Sequence, residues 1–314
     1  MEGYAISKRL AGVDWPDGTD FGVCLTHDVD RITKTRFHSA YYFLKDRKLS
    51  HIHHSHWDKD PYWNIDTIMQ LEAEHGIRST FFFLNEQDLF KDRPARSLFK
   101  PMEWKLYYSS YRLTDPMVKD TIRQLDKQSW EIALHGSYMS CDHKDLLCKE
   151  KEILESVLGK RIIGVRQHYL RLEVPTTWLY QRELGFKYDS SFGAPGLVEA
   201  HENWIRPFRP IGEDFLVIPV TIMDGYLFRE CRSMALAWQK CLMLLEWARK
   251  NHGLVTLVWH SQYFNKQEFP GWSRIYDRLI QEAQKMNAWM GTAKEVYEIY
   301  SAHATADVPK VQPK

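Results

Sequence analysis

The chain has 314 residues, room for one large domain or two small ones and ample for a sizeable core. Hydrophobic residues make up 44% and charged residues 26%, as in a soluble globular protein, and 42 basic against 41 acidic side chains leave a net charge of +1, without the basic excess of a nucleic-acid binder. No stretch approaches the ~18 apolar residues of a membrane helix, the opening MEGYAISKRLAGVDWPDG lacks the apolar core of a signal peptide, and five dispersed cysteines read as reduced thiols, so a cytoplasmic protein without membrane insertion or a cysteine-based zinc site is expected.

Along the chain, FGVCLTHDVD (21–30) starts as a buried strand and ends in charge, and the residues up to 50 read as helical or irregular. HIHHSHWDKD (51–60) has a metal-binding composition, but no flanking element fixes ligand geometry, so it reads as a solvated loop. NIDTIMQLEAEHG (64–76) carries apolar residues at helical spacing with Gly76 as its stop, and RSTFFFLN (78–85) is a short buried strand. Residues 86–115 read as a long loop, and 115–129 as a helix capped by Asp115 with Pro116 at its first position. WEIALHGSY (130–138) is a strand, 143–160 an amphipathic helix ending at Gly159, IIGVRQHYLR (162–171) a strand with a polar end, and 174–185 a helix. FLVIPVTIMDG (215–225) reads as one strand, 233–253 as a helix, LVTLVWHSQYF (254–264) as a strand, and 273–287 as the last strong helix before the tail TADVPKVQPK, expected to be disordered.

Strands thus alternate with helices throughout, which predicts an α/β chain of parallel strands with helical crossovers. Without a linker or an internal repeat, a single domain over 1–314 is the simpler expectation. Asp28, His135, His168, Asp189, Asp224 and His260 all fall at the C-terminal ends of strands, which in a (β/α) barrel converge on one face. Alternation by itself allows an open doubly wound sheet as well as a closed barrel.

The chemistry is concentrated in a few short segments. In THDVD (26–30), Asp28 and Asp30 are two apart on a strand and so point to one side. Two close carboxylates repel, which suits a pair divided between metal binding and base catalysis. His135 directly follows an apolar strand, and Asp plus His is a common mixed ligand set; His143, eight residues on, is equally placed to cap a helix. Arg166 can hold a catalytic carboxylate ionised or grip a substrate oxyanion, and His168 shares its side. His260 can donate a proton to a leaving group, while Asp189 and Asp224 can orient it, bind substrate hydroxyls or simply form turns. Aromatics reach 14%, and aromatic-rich chains often build clefts that stack on sugar rings, although a larger aromatic core accounts for most such enrichment. GxGxxG, Walker A, GxSxG and HExxH motifs are all absent, so nucleotide-cofactor and serine-hydrolase readings lack support.

The order THDVD, RSTFFF, EIALHGSY, GVRQHYLR with YDSSFG, and LVWHS resembles the polysaccharide deacetylase (NodB-homology, carbohydrate esterase 4-like) superfamily over roughly residues 20–290. The likeness is nearest to cytoplasmic members of surface-polysaccharide or O-antigen clusters. It implies a distorted (β/α)7 barrel and metal-dependent hydrolysis of an N- or O-acyl group on a sugar, the partner being an acylated polysaccharide or a nucleotide- or lipid-linked sugar. By that resemblance Asp28 is the base, Asp30 and His135 are metal ligands, Arg166 pairs with the base and His260 is the general acid. The pattern places a second metal-binding histidine at the position of Met139, whose thioether suits a hard or borderline ion poorly. His143 or His168 then replaces it, solvent fills the gap, or the protein works without metal. His143 is taken as the third ligand to a divalent metal, zinc first, with His168, Tyr169, Asp189, Asp224, Tyr138 and Trp259 on the substrate side. A non-catalytic sugar-binding relative and a metal-independent amidohydrolase on a cyclic amide are the alternative readings.

Overall fold

The computed structural model describes residues 13–47, 60–91, 93–193, 205–231 and 233–306. The histidine tract at 51–57 and all but the first two residues of the TADVPKVQPK tail lie outside them. Among the described residues, nine strands form one parallel sheet: β1 (Phe21–Val29), β2 (Thr80–Leu84), β3 (Glu131–Gly136), β4 (Gly164–Gln167), β5 (Tyr188–Asp189), β6 (Leu216–Val217), β7 (Ile222–Met223), β8 (Leu254–Val258) and β9 (Ala288–Gly291). They run in the order β6-β5-β4-β3-β2-β1-β8-β7, and β9 pairs with the first half of β1. Ten helices of the described residues surround it: α1 (Arg36–Asp46), α2 (Ile65–Glu74), α3 (Pro101–Ser109), α4 (Pro116–Lys127), α5 (Lys144–Leu158), α6 (Thr176–Glu183), α7 (Asp224–Glu230), α8 (Met234–Lys250), α9 (Trp272–Lys285) and α10 (Ala293–Ala306).

The expected single strand at 215–225 is two short ones, and the break closes the barrel. Pro219 has no N–H for a ladder. Before it the segment pairs with the β5 side, through Ile218 N–H to the Asp189 carbonyl; after it, Thr221 N–H turns to the Thr256 carbonyl on β8. One extended segment therefore joins both edges of the curled sheet, giving a distorted (β/α)7 barrel.

Strand alternation sorts the residues. Phe21, Val23, Leu25, Phe81, Phe83, Ile132, Leu134 and Val165 pack outward beneath the helices, while Cys24, Phe82, Ala133, Tyr188 and Leu216 fill the barrel with Ala293, Val296 and Tyr300 from α10. Both faces being covered explains why the strands read as continuous apolar runs. Gly164 makes room for Tyr188: a Cβ there would sit 2.0 Å from its hydroxyl oxygen.

Most predicted helices fall where expected, with Gly76 and Gly159 at positive φ just past α2 and α5. Asp115 occupies the N-cap of α4 without a side-chain cap bond, Pro116 supplying the start. Two regions differ. The stretch read as a loop from 86 to 115 contains α3, which has no apolar stripe and packs through aromatic rings, Phe90 lying 5.7 Å from Trp104 and 5.2 Å from Tyr107. Beyond the last helix expected from the sequence, β9 and α10 close the bottom of the barrel.

Candidate active site

The C-terminal ends of β1, β3, β4 and β8 open into a cleft of about 670 Å³ whose floor is Asp28, Asp30, His135, His168 and His260. Asp28 and Asp30 leave β1 on the same side, and the register Leu84 opposite His135 and His135 opposite Arg166 carries the other groups around to them.

Arg166 is fully buried and fixed on every side. Its Nε donates to the Ser190 carbonyl, Nη2 to Ser190 Oγ, and Nη1 to both Thr26 Oγ1 (2.8 Å) and Asp28 Oδ1 (2.6 Å). Burial pulls the Asp28 carboxyl up, but Arg166 and then His135 and His260 outweigh it, so Asp28 titrates below the usual carboxylate range. Its other oxygen, Oδ2, stays toward the cleft, 3.7 Å from His135 Nε2.

Each imidazole is oriented from behind. His135 Nδ1–H donates to the Arg166 carbonyl (2.8 Å), leaving Nε2 to face Asp30 Oδ1 at 3.2 Å. His168 Nδ1–H donates to Glu86 Oε2 (3.3 Å), aiming Nε2 at Asp30 Oδ2, 3.6 Å away. His260 Nδ1–H donates to Asp224 Oδ1 (2.8 Å) and its backbone N–H to Asp224 Oδ2 (2.5 Å), which brings its Nε2 to 3.5 Å from Asp30 Oδ2. A carboxylate or carbonyl on the far nitrogen fixes the tautomer and ring angle that a metal ligand or proton donor needs.

Burial disfavours the protonated form of His168, yet Asp30 and Glu86 raise its pKa to about 9; His260 reaches about 10 because Asp224, Asp30 and Asp28 overcome the same penalty. Asp30 titrates well below the ordinary carboxylate range, burial being outweighed by the charges of His168 and His260 and by the closeness of His135.

Asp30, His135 and His168 could hold a metal ion: one atom from each lies within 4.8 Å of the others. Asp30 Oδ1 is buried without a hydrogen-bond partner, as a ligand oxygen awaiting a cation would be. One carboxylate and two imidazoles form a donor set suited to zinc-like ions with a position left open. The group fits.

Several candidates from the sequence stand elsewhere. His143 is the N-cap of α5, with a 59% exposed side chain 3.7 Å from Asp142, so the third donor beside Asp30 and His135 is His168. Trp259 is fully buried against Phe228 and Tyr276; it precedes His260 just past the end of β8, where the extended chain turns adjacent side chains to opposite sides. Asp189 points outward for the same reason, accepting from Trp178, Gln181 and Ser191 beneath α6. Asp224 is buried behind His260 rather than open to a substrate. Tyr138 lies outside the cleft lining, edge-on to Tyr169 at 5.8 Å, whereas Tyr169 itself faces the cleft. Met139 Sδ accepts from Arg171 Nη1 at 3.7 Å.

Glu86 was not anticipated. It follows β2 by two residues, so the signal that marked the other sites, a polar residue past an apolar strand, was present there too. The cleft walls add Arg31, Trp104, Lys105, Tyr108, Tyr226 and Arg229.

No family model matches the sequence, and no curated protein does. Solved structures do. A protein from Mycobacterium smegmatis assigned as a polysaccharide deacetylase superposes with a TM-score of 0.63 at 19% identity, covering 98% of each chain. The Puue allantoinase gives 0.62 at 16% over 96% of each, and a protein from Pseudomonas aeruginosa PAO1 with the deacetylase assignment gives 0.59 at 15% over 94% of each. This chain has the fold of the polysaccharide deacetylases.

Proposed function

We propose that the protein is a metal-dependent hydrolase that removes an acyl group, acetyl in the simplest case, from the nitrogen or oxygen of a sugar. The observation that carries this reading is the meeting of Asp28, Asp30, His135, His168 and His260 on one cleft floor, each imidazole anchored from behind. The assignment of two fold neighbours as polysaccharide deacetylases supports the substrate class, and the motif likeness to O-antigen-cluster proteins supports a place in surface-polysaccharide biosynthesis.

Asp30, His135 and His168 would hold the ion, zinc by the nature of the donors, and it would supply Lewis acidity at the acyl carbonyl. Asp28 takes the proton of the attacking water at Oδ2, because Arg166 occupies Oδ1 and keeps the carboxylate ionised. The Tyr169 backbone, in a left-handed turn at φ 60° on the cleft wall, presents the N–H that steadies the oxyanion. His260 delivers its Nε2 proton to the leaving amine or alcohol, while Asp224 holds the ring and stabilises the cation beforehand.

The test is acetate release from N- and O-acetylated sugars alongside elemental analysis of the purified protein and of Asp30→Ala. About one equivalent of divalent metal, lost in Asp30→Ala together with activity, is expected. A metal-free protein that hydrolyses none of these sugars would defeat the reading. The comparable likeness to an allantoinase favours a second reading, hydrolysis of a cyclic amide; activity on such a ring that persists after exhaustive chelation would establish it instead.

A further inference from the structure

Away from its floor, the charged part of the described cleft lining is all basic. Arg31 follows Asp30 directly and is partly exposed, Lys105 projects from α3, and Arg229 projects from α7. The only carboxylates of the described lining are Asp28 and Asp30, both already engaged with Arg166 and the histidines. The cations come from three separate elements that line one cleft.

Two of them are coupled to aromatic walls. Lys105 Nζ lies 4.9 Å from the centroid of the Tyr169 ring, and the Arg229 guanidinium lies 4.4 Å from that of Tyr226. A cation held over a ring is placed beside a surface on which a sugar can stack. The positive potential is felt inside the lining as well: burial first, then Arg31 and Lys34, push the His38 imidazole down to about 4, so it stays neutral at pH 7.

We propose that the substrate is an anionic acyl sugar, one that carries a carboxylate or a phosphate within reach of Arg31, Lys105 and Arg229. A neutral glycan gains nothing from three cations at the mouth, whereas an oxyanion gains charge-assisted hydrogen bonds and electrostatic steering into a cleft with low-dielectric walls. This inference rests on the hydrolase reading for the reaction, and on the cleft alone for the charge.

The test compares three probes that share one acetamido sugar: the neutral N-acetylhexosamine, its 1-phosphate and the corresponding uronate. At low salt, kcat/KM for one or both anionic probes should exceed that of the neutral sugar by about tenfold or more, and the preference should shrink as ionic strength shortens the screening length. The phosphate and uronate arms tell the two sources of charge apart. Arg229→Gln combined with Lys105→Gln should bring the anionic-to-neutral ratio down toward one. Equal or better turnover of the neutral probe overturns the anion proposal and leaves the hydrolase standing. If no probe is hydrolysed, calorimetric binding decides: anion-selective binding that is lost in the double variant upholds the charge preference while the hydrolase reading fails, and unselective binding or none overturns both.

Discussion

Glu86 and Glu150 take hydrogen bonds from neighbouring backbone amides of the loop after β3, Tyr138 N–H to Glu86 at 3.1 Å and Ser137 N–H to Glu150 at 3.0 Å. Both are buried, at 8% and 2% exposure, and for both burial is the strongest influence. Yet Glu150 is pushed up to about 8, with Ser137 too weak an opponent and Glu86 adding to the rise, whereas Glu86 falls below the ordinary carboxylate range. The main difference is His168, whose imidazole donates to Glu86 but does not act on Glu150, and Glu86 takes a second backbone N–H from Gln87. A single backbone amide only partly replaces lost water, whereas a cation beside a buried carboxyl favours its ionised form directly. The same influence separates the cleft from the scaffold: Asp28 has Arg166 and Asp30 has its histidines, so ionised carboxylates gather on the cleft floor.

The comparison breaks most sharply at Asp28. Asp28→Asn keeps the shape but removes the base, and kcat should fall by about 10²–10⁴-fold with circular dichroism unchanged; near-normal turnover would reject Asp28 as the base. Arg166→Met acts on the same pair from the other side. It strips a buried carboxylate of its counter-charge, which costs about 3–5 kcal/mol of stability. The double variant Asp28→Asn/Arg166→Met should recover part of that loss in denaturant melts, because no buried charge is then left alone. A double variant as unstable as Arg166→Met would mean that Arg166 holds the barrel through Ser190 and Thr26 rather than through Asp28.

How much of this could be read from the sequence follows the same division. Asp28, Asp30 and His135 were legible because a strand fixes where alternate residues point, and apolar runs mark where strands end. Arg166 was legible with two uses, and its geometry selects the pairing with Asp28. His143 against His168 was not decidable: both follow strands, and only three-dimensional register shows that His168 leaves β4 beside His135 while His143 turns out to solvent. Trp259 and Asp189 were misplaced because an outward residue beside an inward one has the same sequence neighbourhood. The fold's closure was hidden too. Strands of two residues, β5, β6 and β7, carry no period to detect, and Pro219 splits a run that hydropathy alone would join. Lys105 escaped because α3 has no apolar stripe, and its packing on Phe90 from a separate turn is invisible to periodicity.

Asp224→Asn tests orientation without touching the cleft floor. Asp224 accepts both His260 Nδ1–H and His260 N–H, so the amide would offer one donor where an acceptor is needed and loosen the ring. A fall in kcat of about 10²-fold with little change in KM is expected, since the residue is buried away from the substrate space. Combining it with His260→Asn should cost no more than His260→Asn alone, because the two act as a unit. Additive losses would show that Asp224 has a separate task.

Glu150→Gln should change activity least, and its effect should appear in stability instead. Between the ordinary value of 4.5 and about 8, the folded chain keeps a proton on Glu150 that the unfolded chain has released. Stability therefore falls as pH rises through that window and levels off above it. At pH 7 the contribution has an upper limit of about 3 kcal/mol, at ~1.36 kcal/mol per pH unit. Glutamine can still accept from Ser137 N–H, and its amide takes the place of Oε1, which has no hydrogen-bond partner to lose. The variant should match the parent in urea melts near pH 4.5 and exceed it near pH 8, with turnover in the cleft essentially unchanged. If the two proteins instead keep the same stability difference at both pH values, Glu150 is already ionised in the folded chain. A backbone amide would then be enough to hold a buried carboxylate, and His168 would not be what sets Glu86 apart.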